Sequence, residues 1–186
     1  MNESRHHALD AALRHSEVLY DLDAIQQAIA VMGRELDTAL DGERAVFLTV
    51  MQGGLIFAGQ LALAMRTDVE FDYVHATRYR GQTRGQTLQW LRAPQADLEG
   101  RTVLLVDDIL DEGRTLAEVR DACMGLGARR VWLVTLCRKL HDRRLAGLEA
   151  NFNGVDVPDR YVFGFGMDYH EQGRNLPAIH ALHTID

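Results

Sequence analysis

A short apolar stretch that runs straight into two adjacent carboxylates, then into a turn and a helix, most limits what this chain can form. The segment is Val103-Leu-Leu-Val-Asp-Asp-Ile-Leu-Asp-Glu-Gly-Arg-Thr-Leu116. Thr102 to Val106 is nearly continuous in apolar residues, which reads as a buried strand of a parallel sheet. Leu116, Val119, Cys123 and Leu126 recur at helical spacing and Gly127 follows them, so a helix leaves the turn. The N–H groups of a helix start point outward at the positive end of the helix dipole, which makes the turn from Asp111 to Thr115 a candidate anion site. Gly113 lets the backbone approach a phosphate closely, and Thr115 adds a hydroxyl donor. Asp107, Asp108, Asp111 and Glu112 crowd negative charge into the same place, which a plain phosphate site would not favour. The conflict resolves if the ligand carries a phosphate at one end and a sugar diol, a Mg²⁺ ion or developing positive charge at the other. Carboxylates accept hydrogen bonds from sugar hydroxyls and stabilise an oxocarbenium-like centre.

The flanking sequence supplies the rest of such a sheet. Ile25, Ile29, Met32, Leu36 and Leu40 form the stripe of an amphipathic helix that begins near Leu22 and stops at Asp41-Gly42. Ala45 to Val50 reads as a buried strand, Gly53-Gly54 as a turn and Leu55 to Met65 as a helix. Val69 to Ala76, Val131 to Leu136 and Tyr161 to Phe165 read as further strands. Residues 78–89 are polar and contain Gly81 and Gly85, so they are expected to form a long mobile loop or hairpin beside the site. Residues 1–20 open without clear periodicity and are expected to be a partly mobile N-terminal segment. Strands alternating with helices imply an α/β fold with a parallel β-sheet flanked by helices, and ligands bind such sheets at the carboxyl ends of the strands. The 186 residues suit a single domain, and nothing resembles an interdomain linker.

A net charge of −7 weighs against a nucleic-acid partner, which needs a basic face. Cys123 and Cys137 lie among apolar residues and are expected to be buried thiols rather than a disulfide or a metal site. Met1 to Asp23 is broken by charges and histidines, so no secretory leader is expected. The longest apolar run, Leu55 to Met65, is too short to span a bilayer. No membrane partner and a cytoplasmic location are therefore expected.

Val103 to Leu116 resembles the phosphoribosyl pyrophosphate signature of the type I phosphoribosyltransferases, and within them the hypoxanthine-guanine branch. The similarity extends from about Val46 to Pro177. It implies the fold of that family, a parallel β-sheet flanked by helices with a small hood region. It also implies Mg²⁺ as cofactor, phosphoribosyl pyrophosphate and a 6-oxopurine as substrates, and a homodimer or homotetramer. On this resemblance Asp107 and Asp108 hold the ribose hydroxyls. Asp107, Asp108 and Asp168 are the candidate metal carboxylates. Glu112, Gly113, Arg114 and Thr115 line the 5′-phosphate loop, and Asp111 handles a proton near N7 of the base. Met51-Gln52-Gly53-Gly54 matches the loop that holds pyrophosphate, often through a cis peptide at its second residue. The family frequently has Lys where Gln52 stands, so Gln52 and Gly53 are expected to act through backbone N–H groups. Tyr79 matches the lid tyrosine, with Arg78 in place of the usual Ser. Lys139 matches the donor to the purine 6-oxo group. Pro158 to Tyr169 is similar to the purine-binding strand and its following loop, with Tyr161 stacking on the base and the Val162 backbone bonding its edge. Arg174, in Gly-Arg-Asn-Leu-Pro177, is expected to touch pyrophosphate. Glu112 stands where the family usually has Thr, so one side-chain phosphate contact is expected to be lost while the backbone donors remain.

Three other readings compete. A pyrimidine-operon RNA-binding regulator shares the motif but wants a basic face. A phospho-accepting receiver domain also places paired Asp after a buried strand, but leaves Gly113, Thr115 and the Tyr161–Asp168 segment without a role. A xanthine-preferring phosphoribosyltransferase is the nearest enzymatic alternative. His170-Glu171 lacks the second His of a metalloprotease helix, and His180 and His183 have no accompanying ligand set, so all are read as ordinary histidines.

Overall fold

The computed structural model describes residues 3–78 and 88–183. The chain runs α1 (Glu3–Arg14), β1 (Ser16–Tyr20), α2 (Leu22–Leu40), β2 (Val46–Met51), α3 (Leu55–Ala64), β3 (Glu70–Arg78) and β4 (Leu88–Arg92). It continues through β5 (Thr102–Leu110), α4 (Arg114–Gly125), β6 (Arg130–Leu140), β7 (Phe152–Pro158), β8 (Val162–Phe163) and β9 (Ile179–Leu182). Six strands form the main sheet in the order β4-β3-β2-β5-β6-β7. Every neighbouring pair is parallel except β3 with the edge strand β4.

Period-two alternation along the central strands divides the core between the two faces of this sheet. Phe47, Leu104, Val106 and Val134 face α2 and α3, where they meet Ile25, Ile29, Met32, Leu36, Phe57 and Leu61. Val46, Leu48, Val103, Leu105 and Leu133 face the other way, onto Leu116, Ala117, Val119 and Cys123 of α4. The stripe on α2 is the one expected. The helix begins with the Asp21 side chain accepting from Ala24 N–H at 2.9 Å and ends at Asp41 in the left-handed region. Cys123 and Cys137 are free and buried, and burial pushes both thiols up, which keeps them unreactive near neutrality.

The structure adds pairings that local sequence does not show and changes one strand expectation. The N-terminal segment holds a helix, Glu3–Arg14, and a strand: β1 pairs antiparallel with β9, and Arg160 donates to the Leu182 carbonyl at 2.7 Å while pairing with Glu17. That partner lies at the far end of the chain, which local periodicity cannot register. Tyr161 to Phe165 is not the fifth strand of the parallel sheet. Only Val162–Phe163 is strand, and it joins β1 and β9 in a separate three-stranded sheet, order β1-β9-β8, which is the hood. Phe165 and the glycines beside it take positive φ and turn the chain out of the sheet. The fifth parallel strand is instead β7, the edge partner of β6. The expected mobile loop falls mostly on residues 79–87, outside those described. Its flanks, Arg78 and Leu88, pair with each other at the end of the β3–β4 ladder.

The parallel direction brings the carboxyl ends of β2, β5 and β6 to one edge. Met51-Gln52, Asp107 to Asp111 and Lys139 to His141 therefore converge although they are far apart in sequence.

Candidate active site

An open cleft of about 690 Å³ lies at that edge, walled by Gln52, Gly53, Asp107, Asp108, Asp111, Glu112, Gly113, Arg114, Thr115, Asp168 and Arg174. Of the residues expected at the site, Lys139, Tyr161 and Val162 are not on this wall. Lys139 is joined to it by a bond to Asp111, and Tyr161 by its hydroxyl, which donates to the Asp168 carbonyl at 3.1 Å. Val162 is buried in the hood ladder opposite Ala181. Tyr161 is 46% exposed, and its ring meets that of Tyr169 at near right angles, with centroids 5.5 Å apart. Tyr79 lies outside the described residues.

The acidic pair sits inside β5, which continues to Leu110, rather than beyond its end. Asp107 Oδ1 accepts the Asp108 N–H at 2.9 Å, and Asp108 is buried. Burial raises the proton affinity of both carboxyls, and the charge of Asp108 adds to the rise at Asp107. Gly53 is required here: a Cβ at that position would sit 2.0 Å from Asp108 Oδ2. The peptide Met51–Gln52 is cis, a point that the resemblance leaves open for this chain. Gly53→Ala should therefore displace Asp108 and lower kcat/KM by roughly 10–10²-fold, the scale of an ångström-sized misplacement. Steady-state kinetics beside a melting curve checks this, and unchanged kcat/KM would show that Asp108 needs no such fit.

Gly113 precedes α4 with φ of 77°, a left-handed conformation that disfavours any side chain, and it directs the first turn of the helix at the cleft. Glu112 Oε2 accepts from Arg114 Nε at 3.1 Å, and both side chains are exposed. The acid that stands in the turn before α4 is thus matched by a neighbouring guanidinium. Across the cleft, Asp168 Oδ1 accepts from Arg174 Nη2 at 2.7 Å and Oδ2 accepts the Glu171 N–H at 2.9 Å. Arg174 Nη1 donates to the Gly166 carbonyl at 2.7 Å.

Both carboxylate oxygens of Asp111 meet side chains from the end of β6 and the residues just after it. Lys139 Nζ donates to Oδ2 at 2.6 Å, and His141 Nε2 lies 2.6 Å from Oδ1. Burial pushes the Asp111 carboxyl up, but these two hydrogen bonds and the charge of Lys139 outweigh it and hold the group below the usual carboxylate range. Asp111 is therefore ionised at neutral pH. His141 is absent from the sequence-based site, because a histidine in the polar run after Lys139 carries no distinguishing pattern. Arg143, which also lines the cleft, was likewise not anticipated. It forms a two-pronged pair with Asp159 at 2.7 Å on each arm.

A helix start aimed into a carboxylate-walled cleft at the carboxyl edge of a parallel sheet marks the ligand-binding edge of an α/β domain. Residues 15–170 match the phosphoribosyl transferase domain, and the chain belongs to that family. It is 31% identical over 89% of its length to the hypoxanthine-guanine phosphoribosyltransferase of Streptococcus pneumoniae strain R6, covering 92% of that protein. It is 35% identical to the bifunctional protein TilS/HprT of Listeria innocua over 96% of its own length, and spans 26% of that relative. A crystal structure of a hypoxanthine phosphoribosyltransferase from Staphylococcus aureus superposes with a TM-score of 0.85 at 29% identity, over 98% of this chain and 96% of the other. The hood and the parallel sheet are thus those of a type I phosphoribosyltransferase. No helix among the described residues is long and apolar enough to cross a membrane.

Proposed function

We propose that this protein is a single-domain, cytoplasmic purine-salvage phosphoribosyltransferase. It joins hypoxanthine, and guanine, to phosphoribosyl pyrophosphate and releases pyrophosphate. The observation that carries the reading is the Asp111 carboxylate bonded to the Lys139 ammonium beside the phosphate turn. An acceptor and a charged donor side by side match the N7–H and the 6-oxo group of a 6-oxopurine. The same ammonium is mismatched to the amino group of adenine, because it cannot accept a hydrogen bond.

In the reaction, the N9 lone pair forms the bond to C1′ as the bond from C1′ to the pyrophosphate oxygen breaks, and the proton on N7 passes to Asp111. An acid held this low is a weak base. When Lys139 turns to the purine carbonyl, Asp111 loses one of the donors that depress it, so its basicity rises as the base is recognised. The first turn of α4, from Gly113 to Thr115, holds the 5′-phosphate, while Asp107 and Asp108 accept from the ribose hydroxyls. Backbone N–H groups at Gln52 and Gly53, with Arg174, receive the pyrophosphate. Tyr161 stacks on the base, the Val162 backbone bonds its edge, and Tyr79 belongs to a lid that excludes water.

Mg²⁺ fits this donor set. No three His, Cys, Asp or Glu side chains among the described residues form a ready-made cage. Mg²⁺ does not need one, since it keeps several waters and takes one or two carboxylates together with substrate phosphates. Asp107, Asp108 and Asp168 would hold it, and bound there it neutralises the leaving pyrophosphate. A homodimer or homotetramer is part of the proposal. Phe71 and Tyr73, two apart on β3, and Leu91 on β4 are exposed apolar side chains suited to such contact.

Lys139→Ala tests the base assignment. Loss of a hydrogen bond to a charged group should cost about 1.5–3 kcal/mol, tenfold or more in kcat/KM for hypoxanthine and guanine. Affinity for phosphoribosyl pyrophosphate should hardly change. If both base efficiencies stay at the wild-type level, Lys139 does not recognise the base.

A further inference from the structure

We infer that His141 is a positioning residue for base transfer, a neutral imidazole that fixes the Asp111 carboxylate by hydrogen bonding while its own orientation is set by the backbone of the following turn. The inference rests on the phosphoribosyl-transfer reading of the site. His141 lies just past the end of β6, and its side chain is 3% exposed. Its two ring nitrogens have distinct partners. Nδ1 accepts the backbone N–H of Arg143 at 3.0 Å, and Nε2 lies 2.6 Å from Asp111 Oδ1. A nitrogen that accepts from a backbone N–H carries no proton, so in this arrangement the imidazole is neutral with its proton on Nε2. It donates that proton to Asp111.

The arrangement divides the work on Asp111 between two donors of different kind. Lys139, on Oδ2, is a charged donor on a flexible stem with a purine carbonyl to serve. His141, on Oδ1, is a rigid ring held at both nitrogens. When Lys139 moves to the base, His141 is the contact that keeps the carboxylate aimed at N7. Arg143 and Asp159, paired with each other at 2.7 Å, brace the same turn. Hydrogen-bonded orienters of this sort set the geometry of a reacting group without touching the substrate.

Two substitutions separate the two bonds. In His141→Gln the amide nitrogen falls where Nε2 was and can still donate to Asp111, while the bond from Arg143 is lost. In His141→Asn the amide oxygen falls where Nδ1 was and can accept from Arg143, while nothing reaches Asp111. Both variants are assayed with hypoxanthine, phosphoribosyl pyrophosphate and Mg²⁺, and binding of phosphoribosyl pyrophosphate is titrated separately. The expected result is a fall in kcat of about tenfold or more for His141→Asn, recovery of most of that loss in His141→Gln, and unchanged phosphoribosyl pyrophosphate affinity in both. Equal kcat in the two variants, or the reverse order, overturns the inference. A further measurement does not depend on turnover: nitrogen-15 NMR of histidine-labelled protein should show His141 neutral and protonated on Nε2, with that signal shifted in Asp111→Asn. A charged or Nδ1-protonated ring overturns the inference even in an active enzyme. A wild-type protein that forms no nucleotide but shows this tautomer leaves the contact standing and removes the phosphoribosyl-transfer reading instead.

Discussion

Chelating the divalent cation should abolish nucleotide formation, a loss on the order of 10³-fold or more, and adding Mg²⁺ back should restore it. The reason lies in the charge of the cleft. Asp107 and Asp108 are adjacent, and burial has already raised their proton affinity. Asp168 faces the same cleft, and Arg174 is the guanidinium bonded to it. A diphosphate brought against these carboxylates meets strong repulsion in a low-dielectric setting unless a cation stands between them. Because the described residues form no metal cage of their own, the melting temperature without substrate should hardly respond to chelator. Full activity in excess chelator would contradict the mechanism.

Asp111→Asn should lower kcat by about 10²–10⁴-fold, the usual value of general acid–base catalysis, while binding of phosphoribosyl pyrophosphate stays near normal. The amide keeps the size of the carboxyl but neither its charge nor its second acceptor oxygen. Lys139 and His141 both donate in the wild-type protein, so one of them must then face an amide N–H₂. The pH profile supplies a second readout. The folded-state pKa of Asp111 is depressed, so its ionised form persists above that low value and is lost only as pH falls through it. Any acid limb due to Asp111 in the pH profile of kcat/KM, which reports the free enzyme, should therefore lie below the ordinary carboxylate range and vanish in the variant. Near-normal kcat in Asp111→Asn would reduce Asp111 to a phosphate-turn residue.

What the sequence makes legible here is whatever local pattern determines. Val103 to Leu116 reads directly as strand, acidic turn and helix, because continuous burial, Gly113 and the stripe from Leu116 to Cys123 each leave a local mark. The α2 stripe is legible for the same reason. Less visible are features that depend on distant partners. β7, in Phe152-Asn-Gly-Val-Asp-Val-Pro158, contains Asn, Gly and Pro and becomes a strand only through its pairing with β6. Tyr161 to Phe165 has strand composition, yet its partner is the C-terminal β9 rather than the main sheet. The N-terminal strand is likewise defined by β9, more than 150 residues away in Ser16↔Leu182. Within the site, the resemblance named Asp111 and Lys139. The bond between them, and the imidazole on the other oxygen, follow from the approach of the β5 and β6 ends in space.

The central claim is tested most directly by incubating the purified protein with phosphoribosyl pyrophosphate and Mg²⁺ and supplying hypoxanthine, guanine, xanthine or adenine in turn. Nucleoside monophosphate and pyrophosphate are measured together. The account predicts equimolar nucleotide and pyrophosphate from hypoxanthine and guanine, and none from adenine, whose amino group cannot pair with Lys139. Xanthine outrunning both would move the substrate assignment to that base. No nucleotide from any 6-oxopurine, or nucleotide from adenine alone, would contradict the account.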